Sequence, residues 1–174
     1  MYLYLETKRL QVRSYTLNDI DELYKIMSDV RVHTYTKDRN NPWTRKRTEE
    51  YIQFIVNKDF KTTDCFHGAI IEKSTNRLIG LCGLNPYKEN EPEIEFKIGA
   101  SYWNNGYATE LGKEIIRSAF TNASIKGIYG MAHRENVASR KVLEKIGMDY
   151  LGERIFRNHE YSFYYVVNTI ASSS

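Results

Sequence analysis

Long apolar runs are missing from this sequence, and none of its 174 residues belongs to a stretch approaching the ~18 apolar positions of a membrane-spanning helix. Proline is scarce at 3 and glycine stops at 10, which excludes a collagen-like or low-complexity chain. Two cysteines, Cys65 and Cys82, do not make a disulfide framework and are read as free thiols at strand positions. An excess of either charge is lacking as well. The 25 Lys and Arg against 22 Asp and Glu leave +3, which is not the balance of a dedicated nucleic-acid binder, although a local basic patch is compatible with it. The opening MYLYLETKRLQVR carries both charges within nine positions and has no secretory apolar region, so a cytoplasmic protein is expected.

What is present describes a soluble globular domain: 41% hydrophobic and 27% charged residues exclude a disordered chain. A chain of this size suits one domain and can bury ~70% of the surface its unfolded form exposes. Residues 1–170 are read as that domain and residues 171–174 as a frayed tail.

Leu10 and Val12 alternate with polar neighbours as a strand does. Thr16 with Asp19 three residues on resembles a capping box, and Ile20, Leu23, Tyr24 and Met27 share a helical face behind it. A polar and aromatic loop spans Val30 to Thr44, and a second helix is predicted from Thr44 to Asp59. Three strands follow, Phe66 to Glu72, Leu78 to Leu84 and Ile94 to Ala100, joined by short polar turns at Ser74–Thr75–Asn76 and Lys88–Glu89–Asn90. Gly106 opens a helix to Phe120 with Ala108, Leu111, Ile115 and Ala119 on one face. A strand at Gly127–Ala132 and a helix from Asn136 to Ile146 come next, the latter ended by Gly147. Tyr150–Phe156 and Tyr161–Val167 close the order β-α-α-β-β-β-α-β-α-β-β, an α/β (α+β) fold in which a mixed, mostly antiparallel sheet carries helices on both faces.

Two segments carry chemistry. Ser101-Tyr102-Trp103-Asn104-Asn105-Gly106-Tyr107-Ala108-Thr109-Glu110 joins a strand to an amphipathic helix. The first turn of a helix exposes unpartnered N–H groups, and Gly and Ala there let a phosphate approach the backbone. No Gly-Lys-Ser/Thr follows and only one glycine is present, so neither the Walker nor the dinucleotide pattern applies. Alone, this segment reads equally as a plain strand-to-helix turn. Thirty residues on, Asn136-Val137-Ala138-Ser139-Arg140-Lys141-Val142-Leu143-Glu144-Lys145-Ile146-Gly147-Met148 opens another helix, and one intervening helix and strand put both helix starts at the same sheet edge.

Together the segments resemble the GNAT family of acyl-CoA N-acyltransferases, and its Rim-type branch of ribosomal-protein N-terminal acetyltransferases. The resemblance rests on Tyr102-Trp103-x-x-Gly106-Tyr107-Ala108-Thr109-Glu110 and on Asn136-x-x-Ser139-x-x-x-Leu143-Glu144-Lys145-x-Gly147-Met148. Glu93-Ile94 and the opening Glu6-Thr7-x-Arg9-Leu10-x-Val12-Arg13 add to it. It implies a GNAT-type sheet whose fourth and fifth strands splay apart around the pantetheine arm of acetyl-CoA. The backbone at Ile98, Gly99 and Ala100 would then pair with that arm, and Asn104, Asn105, Gly106, Tyr107, Ala108 and Thr109 would cradle the pyrophosphate. Asn136 would touch the arm, and Arg140 with Lys141 would meet the 3′-phosphate. Two departures stand out. Asn104 replaces a Gly that the branch often has, at a position where Asn tolerates left-handed angles. Leu143 occupies the place of the usual proton-donating Tyr, and by resemblance Ser139 takes that part as a hydrogen-bond donor to the sulfur.

Amide formation needs a neutral amine. An α-amine near pKa ~7.7–8.0 is partly neutral at pH 7, whereas Lys near ~10.4 is not, which favours N-terminal amines. Glu93, Glu95 and Lys97 share one strand face, so a carboxylate there could take the amine proton through water, and the resemblance of Glu93-Ile94 to the general-base glutamate of histone-acetylating members of the family favours Glu93, with Glu95 second. The plain alternatives are solvated strand carboxylates, an ordinary Asn136 cap and a back-bonded Ser139. Tyr35 and Trp43 are candidate acceptor-site walls, and Arg45-Lys46-Arg47 is a solvated face or an attraction for an acidic substrate. His33, His67, His133 and His159 share no metal-ligand spacing, and no metal is expected. The expected partner is an amine acceptor, a peptide N-terminus or a small amine, with no nucleic acid and no membrane, the protein being a monomer or homodimer. Polyamine or antibiotic acetylation and a non-catalytic acyl-CoA-binding module are the alternatives.

Overall fold

The hydrophobic periodicity resolves into eight strands and four α-helices in a computed structural model that describes residues 3–57, 65–156 and 158–169. In chain order these are β1 (Leu3–Glu6), β2 (Leu10–Arg13), α1 (Ile20–Met27), α2 (Arg45–Asn57), β3 (Phe66–Glu72), β4 (Arg77–Lys88) and β5 (Glu91–Ile98). They continue as α3 (Tyr107–Ala119), β6 (Gly127–His133), α4 (Val137–Lys145), β7 (Asp149–Phe156) and β8 (His159–Val167). One sheet holds all eight strands in the order β1-β2-β3-β4-β5-β6-β8-β7. Its pairs are antiparallel except β5 with β6, which is parallel.

The element order agrees with the sequence reading, with one addition. β1 pairs with β2 as an N-terminal hairpin, so the splayed pair expected as the fourth and fifth strands is β5 and β6 here. The end of the second helix near Asp59 and the tail 171–174 lie outside the described residues. The third meander strand starts earlier than Ile94 and stops at Ile98, and Ala100 lies in a 3₁₀ turn, Ala100–Tyr102.

Local chemistry explains the boundaries. Asp19 accepts from the Thr16 backbone N–H at 2.7 Å, closing the capping box over a 3₁₀ turn that runs into α1. Arg13 clamps the same carboxylate at 2.7 and 2.8 Å. Three hairpin turns place Asn at left-handed φ: Asn76 at 55°, Asn90 at 60° and Asn158 at 64°. Asn is tolerated there because its short polar side chain can bond locally.

Two cores sandwich the sheet. Leu10, Val12, Ile70, Ile79, Ile94 and Ile98 pack with Leu111 and Ile115 of α3 and Leu143 of α4 on one face. On the other, Ala69, Ile71, Leu78 and Leu81 meet Leu23 and Met27 of α1 and Ile52 of α2. Each such side chain stabilises the fold by ~1.5–3 kcal/mol relative to exposure. α1 and α2 pack over the β2–β4 half of their face, so neither helix's core residues reach β6 and β8.

Candidate active site

The parallel pair β5/β6 is matched at only two positions, Glu93 with Tyr129 and Ile94 with Gly130. Past Ile94 the strands part, while β5 stays paired with β4 out to Ile98 opposite Gly80. The result is a fork whose open edge runs along residues 95–98 of β5, a place where an extended ligand with amide groups can complete the strand's hydrogen bonding. At the far end of that edge the Ile98 carbonyl accepts from the Trp103 indole at 2.7 Å, and the Gly99 N–H donates to Ile79 O at 2.8 Å. Part of the 98–100 backbone is therefore committed within the protein.

The chain then turns sharply into α3. Asn104 sits at φ +62° and Gly106, the residue before the helix, at +76°. The first helical bond runs from Glu110 N to Gly106 O at 3.0 Å, and no side chain caps the helix start. The N–H groups of Tyr107, Ala108 and Thr109 are thus left to an external acceptor. A Cβ at Gly106 would meet only the Arg9 guanidinium, at 3.6 Å, so the approach is open. Asn105 points back, its amide donating to the Tyr102 and Trp103 carbonyls at 3.1 Å.

The second helix start faces the same fork. Asn136 caps α4, its Oδ1 accepting from Ser139 N at 3.0 Å. Among the described residues the Ser139 hydroxyl makes no hydrogen bond, so it is not back-bonded to its helix. Leu143, one turn on, is buried against Gly130 at the closed end of the fork and holds no donor there. Arg140 is partly engaged, with Nε 3.3 Å from the Tyr164 hydroxyl and a second nitrogen 3.3 Å from Arg134 O.

Residues Glu93, Glu95 and Lys97 occupy the opposite face of β5. Glu93 stands opposite Tyr129, one residue before the fork opens past Ile94, and is half-buried. Glu95 lies just beyond, accepting from Asn85 Nδ2 at 3.0 Å and pairing with Lys97. Burial alone would raise the Glu95 pKa, but the Lys97 charge, its hydrogen bond, that of Asn85 and, more weakly, His67 hold it down to about 2. Beside the carboxylates the uncovered part of this face is aromatic: Tyr87 meets Tyr129 at 4.9 Å and Tyr129 meets Tyr165 at 4.6 Å. Tyr35 reaches this rim, stacking 5.6 Å from the His133 ring.

Other candidates are drawn elsewhere. Trp43 is packed inside, its indole N–H on Asp38 at 3.1 Å and Arg47 over its ring, so it lines the α1–α2 core and not an open wall. Arg45, Lys46 and Arg47 pair with Asp21 and Glu49, Glu50 and Asp38. His33 is buried with Nε2 on Met27 O at 2.7 Å, and Cys82 is buried with its thiol pKa pushed up by desolvation. Among the described residues no group of three or more His, Cys, Asp or Glu is arranged to hold a metal, and no helix is long and apolar enough to cross a membrane. An apolar cavity of about 220 Å³, lined by Leu5, Phe66, Leu84 and Ile115, lies away from both helix starts.

The same combination, a forked sheet with two helix starts on it, decides the comparison with known proteins. The model of the acetyltransferase (GNAT) domain matches residues 9–149. The chain belongs to the GNAT acetyltransferase family. As a GNAT enzyme it is an N-acetyltransferase that takes its acetyl group from acetyl-CoA. It is 29% identical over 159 residues to the uncharacterized N-acetyltransferase p20 of Bacillus licheniformis, a match covering 90% of this chain and 86% of that one. A GNAT-family acetyltransferase from Bacillus anthracis shares its fold at a TM-score of 0.82, with 23% identity over 96% of this chain and 99% of that one. So does RimL, a ribosomal L7/L12 alpha-N-protein acetyltransferase solved with coenzyme A, at a TM-score of 0.81 and 11% identity, covering 95% and 98% of the two chains.

The opening Thr7-x-Arg9 of the sequence also acquires an explanation. Glu110 in the first turn of α3 accepts from Thr7 Oγ1 at 2.6 Å, Arg9 N at 2.9 Å and Arg9 Nε at 2.7 Å, so these residues brace the helix start. His67, whose partners come from distant segments, carries no local sequence signal for a role in the site.

Proposed function

We propose that this GNAT enzyme transfers acetyl directly from acetyl-CoA to a primary amine, and that its acceptor is the N-terminal α-amine of a protein or peptide. One observation carries the choice of acceptor: Glu95, at the mouth of the fork, is held ionised to about pKa 2. A carboxylate so weakly basic attracts an ammonium but does little to deprotonate one. This favours an acceptor that loses its proton easily, an α-amine at ~7.7–8.0 over a lysine at ~10.4.

The donor's placement follows from the open groups. The uncapped N–H groups of 107–109, with the Asn104–Gly106 turn, suit the pyrophosphate. The free edge of β5 suits the pantetheine amides, with Asn136 beside it and Arg140 toward the 3′-phosphate. RimL, solved with coenzyme A on the same fold, supports a coenzyme A donor. Glu93 and Glu95 face the acceptor side, where the amine proton leaves through water as nitrogen attacks the thioester carbon. The tetrahedral oxyanion then collapses, and the thiolate departs with the Ser139 hydroxyl as its hydrogen-bond donor. Protons balance when the thiolate takes up one and the other passes to solvent.

Thiol release from acetyl-CoA tests the reading, with matched peptides carrying a free N-terminus, a blocked N-terminus with an internal lysine, and a small polyamine. Turnover confined to the free N-terminus is expected. Turnover of the polyamine alone overturns the acceptor assignment.

A further inference from the structure

On the acceptor face three strands bring one residue each into a row. His67 of β3 is directly opposite Gly83 of β4, and Gly83 is directly opposite Glu95 of β5. Opposed residues in a sheet share a face, and here the middle one has no side chain. The imidazole leans over the gap: a Cβ on Gly83 would lie 3.4 Å from His67 Nδ1. It would also fall 2.3 Å from the Phe66 carbonyl, so the position excludes any other residue.

The imidazole is held from the other side as well. The Tyr51 hydroxyl of α2 lies 3.5 Å from His67 Nδ1, and Tyr51 meets the ring of Tyr15 edge-on at 5.9 Å. The Tyr15 hydroxyl is fully buried without a hydrogen-bond partner of ordinary geometry. The titratable and charged groups facing this imidazole include Tyr51, with Tyr15 behind it, from the helix side and Glu95 and Lys97 from β5. A polar track runs from the fork into the protein: Lys97 and Asn85 on Glu95, then His67, then Tyr51.

We propose that His67 is the proton-relay residue for the acceptor amine, receiving across the Glu95 carboxylate and intervening water the proton that the ammonium must lose. This rests on the proposed function above and supplies what Glu95, held ionised, lacks: a side chain of the type that can keep a proton near neutral pH. Glu95 remains ionised, orienting the ammonium and the bridging water, and the proton moves along that water to the imidazole. Imidazole titrates at ~6.5, within reach of an α-ammonium at ~7.7–8.0. The transfer moves one proton from nitrogen to the ring, leaves the amine's electron pair free for the thioester carbon, and ends when the imidazolium releases the proton to water. His67 acts at a distance through Glu95 and does not touch the reacting atoms.

The test is the pH dependence of kcat/KM for thiol release in the wild type and in His67→Gln, from about pH 5.5 to about pH 8.5, with the free-N-terminus peptide and with a small primary amine. With the relay, ammonium and neutral imidazole together are productive, so the wild-type acid limb follows the imidazole and falls below the amine's own ~7.7–8.0. Without it only the neutral amine reacts, and with the peptide the limb moves up to the amine's own ~7.7–8.0. Activity of His67→Gln then drops roughly tenfold or more at pH ~6.5 and little at pH ~8.5. A merely structural defect lowers the whole profile and leaves the limb in place. That result, or an unchanged profile, overturns the relay.

The acetyl-CoA thermal shift of the variant checks its fold. If His67→Gln does not fold, Tyr51→Phe is measured instead. Loss of the hydroxyl beside Nδ1 changes the imidazole's titration and moves the limb, and an unmoved limb overturns the proposal. A wild type that acetylates the small amine but not the peptide overturns the acceptor assignment and leaves the relay readable on the small amine. A wild type that releases no thiol with either overturns both.

Discussion

Glu110 accepts the Arg9 guanidinium at 2.7 Å, and the same guanidinium lies 4.5 Å from the Tyr107 ring centre, so the N-terminal hairpin is tied to the first turn of α3. Residues a hundred positions apart in the chain thereby set the geometry of the helix start to which the pyrophosphate is assigned. Glu110→Ala should cost ~1–3 kcal/mol through the hydrogen bonds it strands. It should also weaken acetyl-CoA binding several-fold. Thermal unfolding and calorimetric titration check the two, and intact acetyl-CoA affinity would show that the brace serves stability alone.

Gly106→Val should lose acetyl-CoA binding. A β-branched residue resists φ +76°, so the turn must change even though its surroundings have room. The readout is the thermal shift with acetyl-CoA, against ATP and NAD as controls. At ~100 times the dissociation constant a ligand adds ~2.7 kcal/mol, worth several degrees. A normal shift in the variant would refute the phosphate role of the turn.

Glu93→Gln should lower kcat tenfold or more while acetyl-CoA affinity stays within about twofold, since general-base contributions reach ~10²–10⁴. Stopped assays of thiol release over acceptor concentration separate kcat from KM. Unaltered kcat across pH would remove Glu93 from the reaction.

Asn136→Ala should cost ~1 kcal/mol of stability through the lost α4 cap. Ser139→Ala should instead keep the melting temperature and lower kcat, because its hydroxyl supports nothing within the described residues. Melting curves beside kcat distinguish them, and an unchanged kcat in Ser139→Ala would leave the thiolate without that donor.

Acid should destabilise the fold partly through Glu95. Its folded pKa, about 2, lies below the ordinary 4.5, so its stabilisation is complete above pH 4.5 and is lost as pH falls toward 2. The contribution is on the order of 3 kcal/mol. Urea unfolding across that window should show a shallower loss in Glu95→Gln than in the wild type, and parallel losses would contradict the pairing with Lys97.

The helices were legible because their evidence is local. Thr16 with Asp19, Asn136 and Gly147 mark ends that need only a few neighbouring residues, and apolar periodicity marks the faces between. β1 was not legible, since the four residues Leu3–Glu6 are too few to alternate clearly. Nor was the order β6-β8-β7, which follows from β8 returning antiparallel to β6 before β7 adds at the edge.

The site divides the same way. The Asn104–Gly106 turn and the Asn136 cap could be read from residue types, because left-handed angles and caps restrict composition at single positions. The inward packing of Trp43 could not, because only the fold brings its indole to Asp38 and sets Tyr51 against its ring. The sequence alone determined which segments become helix starts and strands, through spacing and capping chemistry that act within a turn. The tertiary structure alone decided that Arg9 braces Glu110, that Lys97 and Asn85 keep Glu95 ionised, and that His67 faces it across Gly83. Those relations depend on strand register, and register is set by how both cores pack against the sheet.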